Sequence, residues 1–217
     1  EEWDRFVYRT TDPRPPGQQY ITLTQDDINS VYGAKETSYA AYGEQVFESA
    51  HWDLRAGLRY DRDGFSDESL VSPRLAANWR PEPGMRVSAT AGVFYQSPRF
   101  LVRAASPENF DIENERITHV SVGFERYFGP DWSLLVEPYY QWLDNVVVEQ
   151  ERTSGRVTND GEGTNPGLDV VLSRSFEDGW FWNVVYSYND ARIDDNDDFG
   201  EYDADFNREH FFSIGGS

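Results

Sequence analysis

The chain contains no cysteine, so disulfides, thiolate metal sites and thiol nucleophiles are excluded. Histidine is sparse: His51, His119 and His210 are the only three, and none falls at a metal-ligand spacing. Cations are outnumbered, with 19 Lys and Arg against 39 Asp and Glu and a formal net charge of -20. Such acidity argues against a nucleic-acid partner, because a phosphate backbone is bound through Lys and Arg. No stretch approaches the roughly 18 apolar residues that a spanning helix needs, and the mean hydropathy is -0.71. A helical membrane protein is therefore excluded. A β-barrel is not, because a barrel strand shows apolar residues to lipid only at every second position. There is no nucleophile elbow and no phosphate-cradling glycine loop. No catalytic residue is assigned, and the chain does not read as an enzyme.

Aromatics and alternation are what the chain has. Aromatic residues make up 16%, with seven Trp and thirteen Tyr. In residues 51–61, Trp52, Leu54, Ala56, Leu58 and Tyr60 share one face of a strand; Asp53, Arg55, Gly57, Arg59 and Asp61 share the other. The same period of two runs through 86–95, 132–140 and 180–188. Shorter candidates are 5–10, 38–47, 74–80, 118–128, 168–176 and 211–216. Helical periodicity is absent. The expectation is an all-β fold, an antiparallel up-and-down meander of about ten strands.

Connections alternate in length. Residues 48–50, 81–84, 129–131 and 177–179 read as short turns rich in Gly, Pro and Asp. Residues 62–71, 97–116, 147–166 and 191–210 read as long polar loops. In a meander, alternate connections lie at the same end, so short turns gather on one rim and long loops on the other. Outer-membrane barrels have that asymmetry, with short periplasmic turns and long extracellular loops.

Trp52, Trp79, Trp132, Trp180 and Trp182 sit close to the short turns, and Tyr60, Tyr95, Tyr140 and Tyr188 at the opposite strand ends. Trp52 to Tyr60, Trp132 to Tyr140 and Trp180 to Tyr188 each span eight residues. Eight residues rise roughly 27 Å, or roughly 20 Å at a tilt of about 40°. These nine aromatics are expected to form two girdles at the membrane interfaces. The other reading makes them core residues of a soluble β-sandwich, which leaves the loop sorting unexplained.

Several short motifs follow in order: Gly57-Leu58-Arg59-Tyr60-Asp61, Ser72-Pro73-Arg74-Leu75-Ala76, Gly92-Val93-Phe94-Tyr95-Gln96-Ser97-Pro98 and Glu113-Asn114-Glu115. Gly123-Phe124-Glu125-Arg126, Asn159-Asp160-Gly161, Gly167-Leu168-Asp169-Val170 and Phe206-Asn207-Arg208-Glu209-His210 continue the series. The series resembles the barrel domain of TonB-dependent outer-membrane receptors over residues 36–217. The resemblance implies a barrel of twenty-two strands around an N-terminal plug, in the outer membrane of a Gram-negative bacterium. It implies uptake of a scarce nutrient such as a ferric siderophore, driven by the TonB–ExbB–ExbD complex through the plug region. Lipid and lipopolysaccharide would be the other partners. No plug or TonB box is visible, so residues 1–217 are expected to be a partial barrel domain of a longer chain. A passive porin or structural barrel, and a soluble all-β binding module, are the alternatives.

Candidate sites follow from that frame. Arg55, Arg59, Arg74 and Arg80 would face the lumen, where they could line a path for an anionic ligand or pair with Asp53, Asp61 and a plug. In the family, apical loops and strand ends capture the ligand, which adds Phe94, Tyr95, Arg99 and Arg103. No cofactor is expected beyond a possible Ca²⁺ in the acidic run 194–203, through Asp194, Asn196, Asp198 and Glu201. A solvated like-charge loop is the plainer reading of that run.

Overall fold

The computed structural model describes residues 37–149, 156–176, 179–196 and 200–216. In chain order its strands are β1 (Tyr39–Glu48), β2 (Trp52–Arg62), β3 (Ser69–Trp79), β4 (Met85–Gln96), β5 (Glu115–Phe128) and β6 (Trp132–Glu149). They continue with β7 (Val157–Ser175), β8 (Phe181–Asn189), β9 (Arg192–Asp194), β10 (Tyr202–Asp203) and β11 (His210–Gly216). All eleven belong to one antiparallel sheet in the order β1-β2-β3-β4-β5-β6-β7-β8-β11, with β9 pairing β7 and β10. The expected meander is therefore what forms. The strand anticipated at 5–10 lies outside the described residues.

The short turns close as their composition dictates. Gly84 (φ 76°) and Gly129 (φ 66°) take the left-handed conformation that side chains resist. The Tyr127 N–H of β5 donates to the Gly84 carbonyl at 2.7 Å and ties the β3–β4 turn to the end of that strand.

Three expected loops are corrected. Residues 147–166 are mostly strand, because β6 and β7 pair well beyond the predicted ends, through Val146↔Gly161, Val148↔Thr158 and Glu149↔Val157, with two register shifts. A Cβ on Gly161 would lie 2.6 Å from Val148 Cγ1, so the backbones approach where only glycine fits. The bulged, polar pairing breaks the alternation that marks a strand in sequence. Similarly, the 191–210 connection carries β9 and β10. The loop at 97–116 contains a six-residue helix, α1 (Phe100–Ala105), and a 3₁₀ turn at Pro107–Asn109. Both are too short to show helical periodicity.

Register sorts the side chains into two faces. Trp52, Leu54, Ala56, Leu58 and Tyr60 pair with Trp79, Ala77, Leu75, Pro73 and Val71. The row continues through Val87, Ala89 and Ala91 to Phe124, Val122 and Val120. This apolar face is open: Leu58 is 55% exposed, Leu75 60% and Ile214 67%. Contiguous apolar surface of that kind marks contact with a membrane or a partner. Among the described residues the buried apolar side chains are Leu70, Ile112, Val146, Val148, Ala191 and Ala204, all in or next to the long connections. The packed core thus sits at the long-loop rim and not between two sheet layers.

Candidate functional site

The opposite face is polar. His119 Nδ1 lies 3.2 Å from Gln141 Nε2, Asn165 Nδ2 donates to Gln141 Oε1 at 2.9 Å, and Asn189 Nδ2 donates to Asn165 Oδ1 at 3.2 Å. These four side chains form one hydrogen-bonded row across β5, β6, β7 and β8. Each amide bonds its neighbour, so Gln141, Asn165 and Asn189 form a wall of uncharged amides that ends on His119.

The β1–β4 side of the same face is charged. Arg59 donates from Nε and Nη2 to the two Asp61 oxygens at 2.8 and 2.6 Å, a planar fork on a carboxylate two residues on. Arg80 Nη2 reaches Asp53 Oδ1 at 2.7 Å near the short-turn rim. Arg55 opposes Ala76 and is exposed. Arg74 differs. It forms no ion pair or hydrogen bond with any described residue, and its guanidinium carbon sits 4.6 Å from the centre of the Phe94 ring. Phe94 in turn lies over Gly92, where a Cβ would come within 3.0 Å of the ring. Glycine is what lets the ring lie flat beneath the guanidinium.

Arg59, Arg74 and Phe94 line one recess of about 570 Å³, together with Asp61, Ser72 and the loop residues Asp63, Phe65, Ser97 and Asn114; Tyr95 borders it at the strand end, although register puts it in the row of the apolar face. Four of the six residues expected to bind a ligand are therefore brought together. Arg99 is exposed beside α1 and does not line the recess. Arg103 requires a correction. It is 1% exposed, donates from Nη1 to the Phe110 carbonyl at 2.7 Å and lies over Phe65, which places it behind the recess. Burial lowers its pKa from the usual arginine value, and the charges of Asp63, Glu68 and Asp111 offset part of that. Its Nε and Nη2 are buried without a hydrogen-bond partner, and at that burial the guanidinium does not reach the surface of the recess.

The recess has a roof that the sequence reading did not identify. Asn114 is 2% exposed, and its Nδ2 faces Glu68 Oε2 at 2.7 Å, Asp63 Oδ2 at 2.8 Å and Ser66 Oγ at 3.0 Å. Its backbone N–H also donates to Glu68 at 2.8 Å. One amide thus ties the β2–β3 loop to the β4–β5 loop. Burial pushes the Asp63 carboxyl up, but donation from Asn114 and the Phe65 N–H, and the Arg103 charge, together hold it below the usual carboxylate value. The available signal was Glu113-Asn114-Glu115, in which a lone amide stands between two acids.

The described residues of the acidic run do not converge on one point. Asp194 accepts from the Asn196 N–H at 2.8 Å, and the Asn196 amide donates to the Asp160 carbonyl. Glu201 is exposed, and Asp198 lies outside the described residues. Among the described residues no group of three or more His, Asp or Glu side chains is arranged to hold a metal ion.

Aromatics expected at the interfaces meet other rings, two pairs across strands and Tyr140 with a neighbour on its own strand. Trp52 and Trp79 stack at 5.8 Å, and Trp132 and Trp182 meet edge to face at 5.4 Å. Tyr140 lies 4.5 Å from Trp142 at the other end. Trp180 precedes β8 and is exposed, and Tyr60, Tyr95 and Tyr188 stand on the apolar face near the long-loop ends.

Comparison with known proteins adds three findings. A family model described as "TonB dependent receptor-like, beta-barrel" matches residues 2–217. No curated protein matches the chain. Among solved structures, the apoprotein of the FrpB iron transporter from Neisseria meningitidis (F5-1 variant) aligns with a TM-score of 0.65 at 19% identity, covering 84% of this chain and 31% of that one. The outer membrane transporter YddB from Escherichia coli aligns with a TM-score of 0.66 at 13% identity, covering 82% and 30%. The copper transporter OprC gives 0.59 at 19% identity, covering 74% and 28%. The chain thus spans under a third of the length of these structures, and the likeness is one of fold.

Proposed function

This chain belongs to the TonB-dependent receptor β-barrel family, and from that premise we propose that it is part of the wall of an outer-membrane transporter for an anionic metal chelate, such as a ferric siderophore. Uptake would draw energy from the TonB–ExbB–ExbD complex. The long loops would face the cell exterior and the apolar face the lipid, so the recess would open toward arriving ligand. Iron and copper transporters among the similar folds support a metal-bearing cargo.

The observation that carries this reading is Arg74. Its charge is uncompensated by any described residue, its position is fixed by Phe94, and it stands in a recess beneath the apical loops. A cation desolvated on one side by a ring gains from an anion on the other. In the full-length transporter, Arg74→Ala should weaken binding of an anionic ferric chelate about tenfold, the scale of one charged hydrogen bond. Binding of an uncharged chelate of similar size should change little. Equal loss for both would remove the anion assignment. Entry of the chelate at an undiminished rate into cells lacking the energising complex would favour a passive pore.

A further inference from the structure

We infer that Arg174, with Trp132, Trp182 and Phe176, forms a phosphate site for the headgroup of a phospholipid in the leaflet at the short-turn rim. The inference rests on the membrane-spanning reading above. Trp132, Arg174 and Trp182 stand in one cross-strand row on the apolar face of β6, β7 and β8. The two indoles meet over the strand between them, 5.4 Å apart. Beneath them, the Arg174 guanidinium carbon is 5.0 Å from the centre of Trp132 and 4.3 Å from that of Phe176. Phe176 lies two residues nearer the short turn, so the side chain runs along the rings toward the water edge, as a snorkelling arginine does.

Among the described residues no carboxylate balances this charge. The Nε is buried without a hydrogen-bond acceptor, and no described residue pairs with the guanidinium. Other arginines at the rims of this face are matched: Arg126 pairs with Glu82, and Arg116 with Asp144 at 3.5 Å. An unmatched cation at the edge of an apolar band lacks an anion at that depth, and in a bilayer the phosphodiester supplies it. The terminal guanidinium nitrogens suit two phosphate oxygens, while the indoles and Phe176 cover glycerol and the first acyl carbons. Inorganic phosphate shares the charge but not these apolar contacts, so the occupant is a lipid.

The test uses the full-length protein in nonionic detergent, with lipid adducts counted by native mass spectrometry. Wild type should retain phosphatidylglycerol, and Arg174→Gln should lower that retention about fivefold, the effect of one interfacial cation. Diacylglycerol with the same chains should bind both proteins equally weakly, and inorganic phosphate neither. Arg174→Lys, which keeps charge but not the fork, should fall between and serves if the Gln variant does not fold. Unchanged phosphatidylglycerol retention in either folded variant overturns the site, as does equal retention of inorganic phosphate. Failure of the membrane reading is separate: wild type would then be recovered without detergent.

Discussion

Asp63 and Asn114 show how single residues set the recess. Asp63 sits at the start of one apical loop and Asn114 at the end of the next, and their contact is almost dry. The carboxyl is held below its ordinary value of about 3.9, so its stabilising effect is complete above that pH and disappears as pH falls through the folded value. Hydrogen exchange of the two loops, corrected for intrinsic rates, should therefore rise in acid below about pH 4 and stay flat from there to neutrality. Asp63→Asn should abolish the acid step. An identical step in that variant would assign the transition to another group. Asn114→Ala leaves two carboxylates without their shared donor, at a cost of roughly 1–3 kcal/mol.

At the scale of the element, β6 and β7 are joined by more than their ladder. The Tyr139 ring lies on Gly167, so closely that a Cβ there would fall 2.1 Å from Tyr139 Cζ. The same ring stacks on His119 at 6.0 Å, next to the amide row. Gly167→Ala should therefore push the ring away and destabilise the barrel by about 1–3 kcal/mol, as overpacking does. Refolding equilibria of the full-length protein into lipid would measure it. Tyr139→Ala combined with Gly167→Ala should cost less than the sum of the two single changes, since the clash is removed. Full additivity would show that the ring is not what Gly167 accommodates.

At the scale of the whole molecule, the two faces predict opposite tolerances. Leu75 stands on the apolar face four residues from Trp79, near the middle of the band. Leu75→Arg should cost about 2–4 kcal/mol in a bilayer. Ser187→Arg, on the polar face opposite Asp169, should cost far less, because the lumen is wet and a carboxylate stands across from it. The same refolding equilibria in lipid compare the two. Equal penalties would contradict the assignment of faces.

The class of fold was legible in sequence because a half-lipid, half-water strand must alternate, and Trp52 through Tyr60 does so without a break. Loop sorting and the eight-residue aromatic spacing were legible for the same reason: each is a local count along the chain. So were Arg59, Arg74, Phe94 and Tyr95 as residues of one strand face or its ends. That they meet at a single recess depends on register across β2, β3 and β4, which no local pattern encodes. The long pairing of β6 with β7 was hidden because its bulges erase alternation. Burial of Arg103 was hidden because Phe65, over which it lies, and two of the nearby acids, Asp63 and Glu68, come from the β2–β3 loop. Sequence by itself determined which way each strand faces, since that follows from a period of two. Only tertiary structure decided which charges are matched, and it left Arg74 and Arg174 among those without an ion pair to a described residue, because pairing depends on which strands become neighbours.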